Sequence, residues 1–550
     1  MQIFLRQIQD NLILVLCFLL GAVLLFANLG DLPFWCDEAM TANVARNISQ
    51  SIVPRGWDGV NIFVPREVVD NNFLVTLLPW LQDYLVFISF KLFGESNFTA
   101  RLPFALFGLL SIPLLYKFAK WFVGKDVANL ATIIFIFSVT FLVYSRNCRY
   151  YSLTLFFGLL LVYAYFRLDH FKSWYNFWFI VAGILLFHSS YLVFAALYIT
   201  ILFFFLIWER DKTKLKTLFV SSWIIGAFTL PWFFLTDRVV LKEFFEDRFL
   251  LNTGYLLIKN IKAFIGYGFF SLVLVGVFII FLALPQNKEI WQKYKRAFLL
   301  ISTVIITYIL VSCFLQSYDY QKFPNRLPYI RISLILLPCF AIWNAIGFRA
   351  IANYSKLMSY LLLTLFLLTN VFSWPFPVKT QGVPLKIPIA RSFLYEYAKQ
   401  IFDPPQDQAI IEVANHLQNN AKQGDVIFAD QCWSYQLVWY FNQKYKFCCQ
   451  QDFADPDNKD FMKLPDYLDS TFDQPKWIVV CPFTFKASAR QHVQNAFDNI
   501  NMKNYELVGD ISKRDFFLRP NFESFFMVGF DDLDLAESEK TYIFKQKENL

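Results

Sequence analysis

Charge is scarce in this chain. Only 17% of its 550 residues are Asp, Glu, Lys or Arg, while 57% are hydrophobic and 20% aromatic. That balance excludes a soluble protein of this size and implies a polytopic membrane protein. The net charge of +7 is small and comes from loops assigned below to the cytoplasmic side, so it does not signal nucleic-acid binding. A metal framework is missing as well, because the nine cysteines show no metal-type spacing and no regular disulfide pattern. Cys432, Cys448, Cys449 and Cys481 fall in a polar tail, where disulfide pairing and free thiols are both open readings. No small-x-small cleavage site follows the first apolar run, which is therefore read as a retained helix and uncleaved signal anchor. The chain has no internal repeat and no low-complexity tract.

What is present is a series of apolar runs. A segment crossing the hydrocarbon needs roughly twenty mainly apolar residues, and candidates lie at 11–29, 101–121, 126–145, 150–166, 175–190, 191–208, 217–236, 264–284, 298–316, 330–347 and 356–373, or about eleven spans. The segment from Pro79 to Gly94 holds Gln82, Asp83 and Lys91 and is ambiguous by length. Loop charge decides it. With that segment in the interface, the basic loops at Lys117 to Lys120, Arg167 to Lys172, Glu209 to Lys216, Lys288 to Arg296 and Arg349 to Lys356 share the side of Arg6. With it spanning, all of them move outside, against the positive-inside tendency. The expectation is thus a surface helix, a cytoplasmic N-terminus and an extracytoplasmic C-terminus. Residues 1–374 form the membrane domain. From 375 a proline-rich linker with Pro375, Pro377, Pro384 and Pro388 opens a soluble α/β domain to 550, with a helix at Ala409 to Ala421 and strands at Gly424 to Ala429 and Lys476 to Cys481.

The same parity gathers the unusual residues on the outer face. Asp37 and Glu38 follow the first span and open a stretch in which Met40, Val44 and Ile48 recur at helical spacing, with Asn43, Arg46 and Asn47 turned elsewhere. This predicts an amphipathic helix on the outer leaflet. Adjacent helical residues point about 100° apart, so the two carboxylates cannot share one role. Two readings of Asp37 stand side by side, a membrane-adjacent general base and a plain helix N-cap. Arg146 and Arg149 sit in the tight outer turn Tyr144-Ser145-Arg146-Asn147-Cys148-Arg149-Tyr150-Tyr151-Ser152. Guanidinium suits phosphate through paired hydrogen bonds, and snorkelling to headgroups is the alternative. Arg326, Tyr329 and Arg331 make a second outer basic cluster able to clamp the same anion or a headgroup. His188, beside Ser189, Ser190 and Tyr191, lines a polar cavity in one reading and is a structural hydrogen-bonder in the other. Arg101 opens the second span and is expected to pair with Glu95 or a first-loop carboxylate, holding the surface helix.

These residues, in this order, resemble the polyprenyl-phosphate-sugar-dependent glycosyltransferases of the membrane-embedded C-type fold, in particular bacterial relatives of dolichyl-phosphate-mannose protein mannosyltransferases and of the aminoarabinose lipid A transferase. The likeness runs through Pro33-Phe34-Trp35-Cys36-Asp37-Glu38-Ala39, Lys91-Leu92-Phe93-Gly94-Glu95-Ser96-Asn97-Phe98-Thr99-Ala100-Arg101-Leu102-Pro103 and the Tyr144 to Ser152 turn. It implies that Asp37 activates or orients the acceptor nucleophile with Glu38 as its acidic neighbour. It also implies that Arg146 and Arg149, with Arg326 and Tyr329, hold the phosphate of a lipid-linked donor, and that inversion is the usual outcome; His188 and Arg101 join the candidate substrate contacts by their own positions in the chain, not by the resemblance. Relatives carry an Asn-Pro-Pro or Lys-Pro element before the surface helix, where this chain reads Val75-Thr76-Leu77-Leu78-Pro79-Trp80, so a lysine contact from that loop is not carried over.

Such a donor is already activated. Its phosphate leaves as a stabilised anion, and the protein must supply a base, positive charge and a groove for the lipid. No cofactor beyond the polyprenyl-phosphate sugar is required by the sequence, and metal dependence is left open. The partners expected are that sugar carrier, membrane lipids, and an acceptor that is protein, lipid or glycan. The rival classes are a transporter or flippase, which would show midplane charge and paired halves, and a non-catalytic subunit with the same fold.

Overall fold

The computed structural model describes residues 11–65, 68–168, 172–209, 211–235, scattered positions between 254 and 269, 271–322, 330–369 and 372, 393–403, 408–429, 431–448, 466–468, 472, 474–480, 500–511 and 541–547. Arg326 and Tyr329 lie outside these residues, as does the proline-rich linker. The chain forms two compact units, one made of Met1–Ala27, Phe104–Phe402 and Pro520–Met527, the other of Asn28–Pro103, Asp403–Arg519 and Val528–Leu550. The long loop after the first apolar helix therefore belongs to the same unit as the C-terminal strands.

The first unit is helical. Among the described residues four helices are long and apolar enough to cross a membrane: Asn97–Val123, Tyr191–Glu209, Pro285–Phe314 and Arg331–Tyr354. A pair bent by 60°, Lys125–Ile136 with Val139–Arg146, makes a fifth if taken as one span. Shorter apolar helices run over Leu12–Phe26, Tyr151–Phe166, Trp174–Phe187, Val273–Ala283 and Lys356–Leu368. Arg331–Tyr354 is the interior helix, with 89% of its apolar window buried. Serines fix several helix starts: the side chains of Ser173, Ser190, Ser271 and Ser355 each accept a backbone N–H from the first turn, satisfying donors that lipid would leave orphaned. Gly108 lets Asn97–Val123 approach the residue before Arg146, since an added Cβ there would lie 2.6 Å from Ser145 Cβ.

The second unit is mixed. Five strands, β1 (Val426–Ala429), β2 (Lys446–Cys448), β3 (Trp477–Val480), β4 (Tyr505–Ile511) and β5 (Thr541–Gln546), form one sheet in the order β2-β1-β3-β5-β4. The β1 strand pairs in parallel with β2 and β3, and β5 pairs antiparallel with β3 and β4. A helix, Gln431–Phe441, makes the crossover from β1 to β2, as a parallel pair requires. Phe428, Cys448, Ile478, Ile500 and Tyr505 form the core on the sheet. The helix expected from Ala409 is seen as Ala409–Asn420.

The loop segment contributes two helices to this unit. The helix expected from Pro79 is seen as Leu81–Phe93, ended by Gly94 at φ 80°. It buries Val86, Ser89 and Phe90 and exposes Ile88, Leu92 and Phe93, an apolar face of the kind a membrane interface covers. The other, Cys36–Ser51, is the acidic-motif helix. Between them the chain is irregular, held by isolated bridges such as Arg55 to Leu74 and Trp57 to Ile62. Asn61 joins this loop to the sheet: its Oδ1 accepts the Phe447 N–H at 2.9 Å, and its Nδ2 donates to the Tyr445 carbonyl at 3.0 Å. Asn61 thus covers the outer edge of β2, an edge strand whose backbone would otherwise be open.

Candidate functional site

Asp37 and Glu38 both lie in the first turn of Cys36–Ser51, at the positive end of its dipole. The N-cap is Trp35, with extended backbone. Asp37 therefore does not serve as the N-cap, and the plain capping role falls to its neighbour, since Glu38 accepts the Trp35 N–H at 3.4 Å. Asp37 is half-buried, whereas Glu38 is only 1% exposed.

Glu38 is held by Arg101. The guanidinium donates from Nε to Glu38 Oε1 at 2.8 Å and from Nη2 to Oε2 at 2.7 Å. It also donates from Nη1 to the carbonyls of Leu29 and Leu32, and from Nη2 to that of Pro33, at 2.7 to 3.0 Å. A guanidinium has five N–H donors, so all five are used. Arg101 stacks on the Phe34 ring at 5.0 Å. The two residues bind each other, the pairing with a first-loop carboxylate that is one of the two expected of Arg101, and fix the turn that carries Asp37. The pairing with Glu95 does not form, because Glu95 takes Arg46 at 2.7 Å.

The polar side of the motif helix faces protein. Asn43 Nδ2 donates to the Tyr435 carbonyl at 2.9 Å, Arg46 to the Trp439 carbonyl at 3.2 Å, and Asn47 Nδ2 to the carbonyls of Arg55 and Trp57. The expected leaflet-lying helix is thus buried by its own unit, and side chains that read as water-facing instead satisfy backbone carbonyls. Burial lowers the Arg46 pKa even though Glu95 and Asp58 act to raise it. Burial also raises the carboxyl of Asp58, against the backbone amides of Asn61 and Val60. The Tyr467 hydroxyl, which donates to the Val60 carbonyl, is pushed up to about 12 by burial, with the Asp58 charge adding to it.

The basic residues belong to the other unit. Arg146 ends Val139–Arg146, is 3% exposed, and donates from Nη1 to the carbonyls of Leu24, Leu25 and Ala27. Those are the last carbonyls of Leu12–Phe26 and its C-cap, so Arg146 caps that helix end, where a cation is favoured. The Tyr397 hydroxyl shares the Leu24 carbonyl at 2.8 Å. Arg149, also buried, lies over the Tyr150 ring at 5.7 Å. Tyr150 packs on Tyr151, whose hydroxyl accepts from Arg331 at 3.4 Å. The structure therefore brings Arg331 to the Arg146–Tyr151 turn. His188 stands apart, at the C-cap of Trp174–Phe187 with Nε2 3.3 Å from the Phe228 carbonyl. Among the described residues no group of three or more His, Cys, Asp or Glu is placed to hold a metal ion.

Sequence reasoning missed Gln436 and Trp439. Gln436 Nε2 donates to the Phe34 carbonyl at 2.6 Å, and the Trp439 ring packs on Phe34 and Phe90 while its Nε1 donates to Asn97. Their signal was a glutamine and a tryptophan in a helix that also holds Trp433, Leu437, Val438 and Phe441.

Residues 78–234 match the family model described as dolichyl-phosphate-mannose-protein mannosyltransferase. The fold is similar to that of ArnT from Cupriavidus metallidurans bound to undecaprenyl phosphate, with a TM-score of 0.54 and 14% identity over 96% of this chain and 97% of that one. Against the apo state of ArnT the TM-score is 0.50 at 15% identity, over 86% and 94% of the two chains. No curated protein matches the chain by sequence.

Proposed function

We propose that this membrane protein with the C-type glycosyltransferase fold transfers a sugar from a polyprenyl-phosphate carrier to an acceptor on the extracytoplasmic face. The observation that carries the reading is the construction of the acidic motif: Arg101 holds Glu38 and so fixes the helix turn on which the half-buried Asp37 sits one residue earlier. The family match over 78–234 and the likeness to an undecaprenyl-phosphate-bound fold support the donor class. In this reading Asp37 takes the proton of the acceptor nucleophile as that atom bonds to the anomeric carbon. The carbon–oxygen bond to phosphate breaks, its electron pair leaves with polyprenyl phosphate, and a single displacement inverts the centre. Arg149 and Arg331 are candidate contacts for the donor phosphate, to which a guanidinium is suited. Arg146 serves the same turn by fixing it. About eleven spans, a cytoplasmic N-terminus and an extracytoplasmic segment from 375 complete the proposal.

The test is sugar transfer by the purified full chain from a synthetic short-chain polyprenyl-phosphate sugar. Asp37→Asn is expected to lose about a hundredfold or more in kcat, as removal of a general base does. Arg149→Ala is expected to raise the donor KM. Turnover of Asp37→Asn at the wild-type rate would remove the base assignment, and an unchanged donor KM in Arg149→Ala would remove the phosphate role.

A further inference from the structure

We propose that Gln436 is a positioning residue for Asp37, and that the crossover helix Gln431–Phe441 acts through it as part of the catalytic apparatus; this rests on the function proposed above. Four carbonyls lead up to the motif helix, those of Leu29, Leu32, Pro33 and Phe34, and each accepts a side-chain hydrogen bond. Arg101 holds the first three. The last, three residues before Asp37, is held from 402 residues away by Gln436, whose Nε2 lies 2.6 Å from the Phe34 oxygen. Both residues are buried, Gln436 at 3% exposure and Phe34 at 1%.

The helix that carries Gln436 is itself anchored. It connects β1 to β2 and buries Leu437 and Val438. It also meets the motif helix further along, accepting from Asn43 at Tyr435 and from Arg46 at Trp439, with Arg46 over the Trp439 ring at 4.0 Å. The Phe34 side chain is clamped between Trp439 and Arg101 at 5.0 Å from each. Gln436 is therefore the polar tie between a helix set by the sheet and the peptide that aims Asp37. Proton abstraction needs heavy atoms within about 2.6–3.2 Å, and a misplacement of about 1 Å can cost about a hundredfold. A tie at that peptide bears on the rate directly, while the substrate's own contacts are left alone.

The proposal is tested in the full chain with Gln436→Met, which keeps the length and removes the N–H, and Gln436→Glu, which turns the donor into an acceptor until it is protonated. Transfer kinetics are followed against pH, and backbone hydrogen exchange over residues 34–39 is followed by mass spectrometry. Gln436→Met should lower kcat by about tenfold to a hundredfold with the donor KM within about twofold of wild type. It should also speed exchange around the Ala39 amide, which is bonded to Trp35. The deficit of Gln436→Glu relative to wild type should shrink as pH falls and the carboxyl regains its proton. A kcat within about twofold of wild type in Gln436→Met, a loss confined to KM, or a Gln436→Glu deficit that ignores pH would each overturn it. If the wild-type chain transfers no sugar from this donor, the functional reading falls by itself, and the exchange measurement decides the tie: unchanged exchange over 34–39 in Gln436→Met refutes it, and faster exchange upholds it.

Discussion

Replacing Arg101 is the most discriminating perturbation of the acidic motif. Its guanidinium uses every donor it has, two on Glu38 and three on the carbonyls of Leu29, Leu32 and Pro33. Lysine has three donors on one nitrogen, so Arg101→Lys loses at least two bonds from a charged donor. At about 1.5–3 kcal/mol for each, the loss is about 3 kcal/mol or more. Arg101→Met goes further, leaving the Glu38 carboxylate buried without a counter-charge, which costs about 3–5 kcal/mol for a broken buried pair. Adding Glu38→Gln to Arg101→Met removes that stranded charge, and the double variant should recover about 1–3 kcal/mol through the coupling between contacting residues. The assay is thermal unfolding of the purified full chain in one detergent at one scan rate, which ranks variants even where unfolding is irreversible. Wild type is expected to have the highest midpoint, and the double variant to melt above Arg101→Met. A double variant no more stable than Arg101→Met, or an Arg101→Met chain as stable as wild type, would refute the assignment of Glu38 to Arg101.

Asn61→Ala should destabilise the second unit by about 2–6 kcal/mol, because it strands the buried Phe447 N–H and Tyr445 carbonyl at the edge of β2 at about 1–3 kcal/mol for each unmade bond; faster hydrogen exchange over residues 445–448 is the check, and unchanged exchange there would count against the edge-covering role. Asp58→Asn keeps the acceptor for the Val60 and Asn61 amides and removes a charge that burial disfavours. Because the folded carboxyl binds its proton more readily than the unfolded one, its contribution is full below the unfolded value and is lost as pH rises through the folded value. Asp58→Asn should therefore be more stable than wild type at neutral pH, with the difference closing on acidification, and a difference that widens as pH falls would contradict the burial argument.

The parts of this molecule that the sequence made legible are those in which one short stretch carries the whole signal. Helices long enough to span a membrane are apolar whether they face lipid or one another, so runs such as 191–208 and 330–347 declared themselves, and Tyr191–Glu209 and Arg331–Tyr354 are the helices found there. Met40, Val44 and Ile48 likewise marked an apolar stripe, although it is protein and not the expected leaflet that covers it, all three being buried. The other side of that helix was not legible, because Asn43 and Asn47 have the same spacing whether they face water or a distant carbonyl. Ion pairing was undetermined for a related reason. Arg101 had Glu95 near it in sequence and Glu38 63 residues away, and nothing local ranks them. Burial does: Glu38 is enclosed with three carbonyls that complete the guanidinium's donor set, whereas the Glu95 side chain is 46% exposed and offers a screened, weaker partner. The one overlooked clue of this kind is Gln436. In Gln431–Phe441, a helix that buries Trp433, Leu437, Val438 and Trp439, a glutamine on the inner side must find a hydrogen-bond partner or cost the fold heavily. That requirement announces a contact without naming it, and only the folded chain supplies the Phe34 carbonyl.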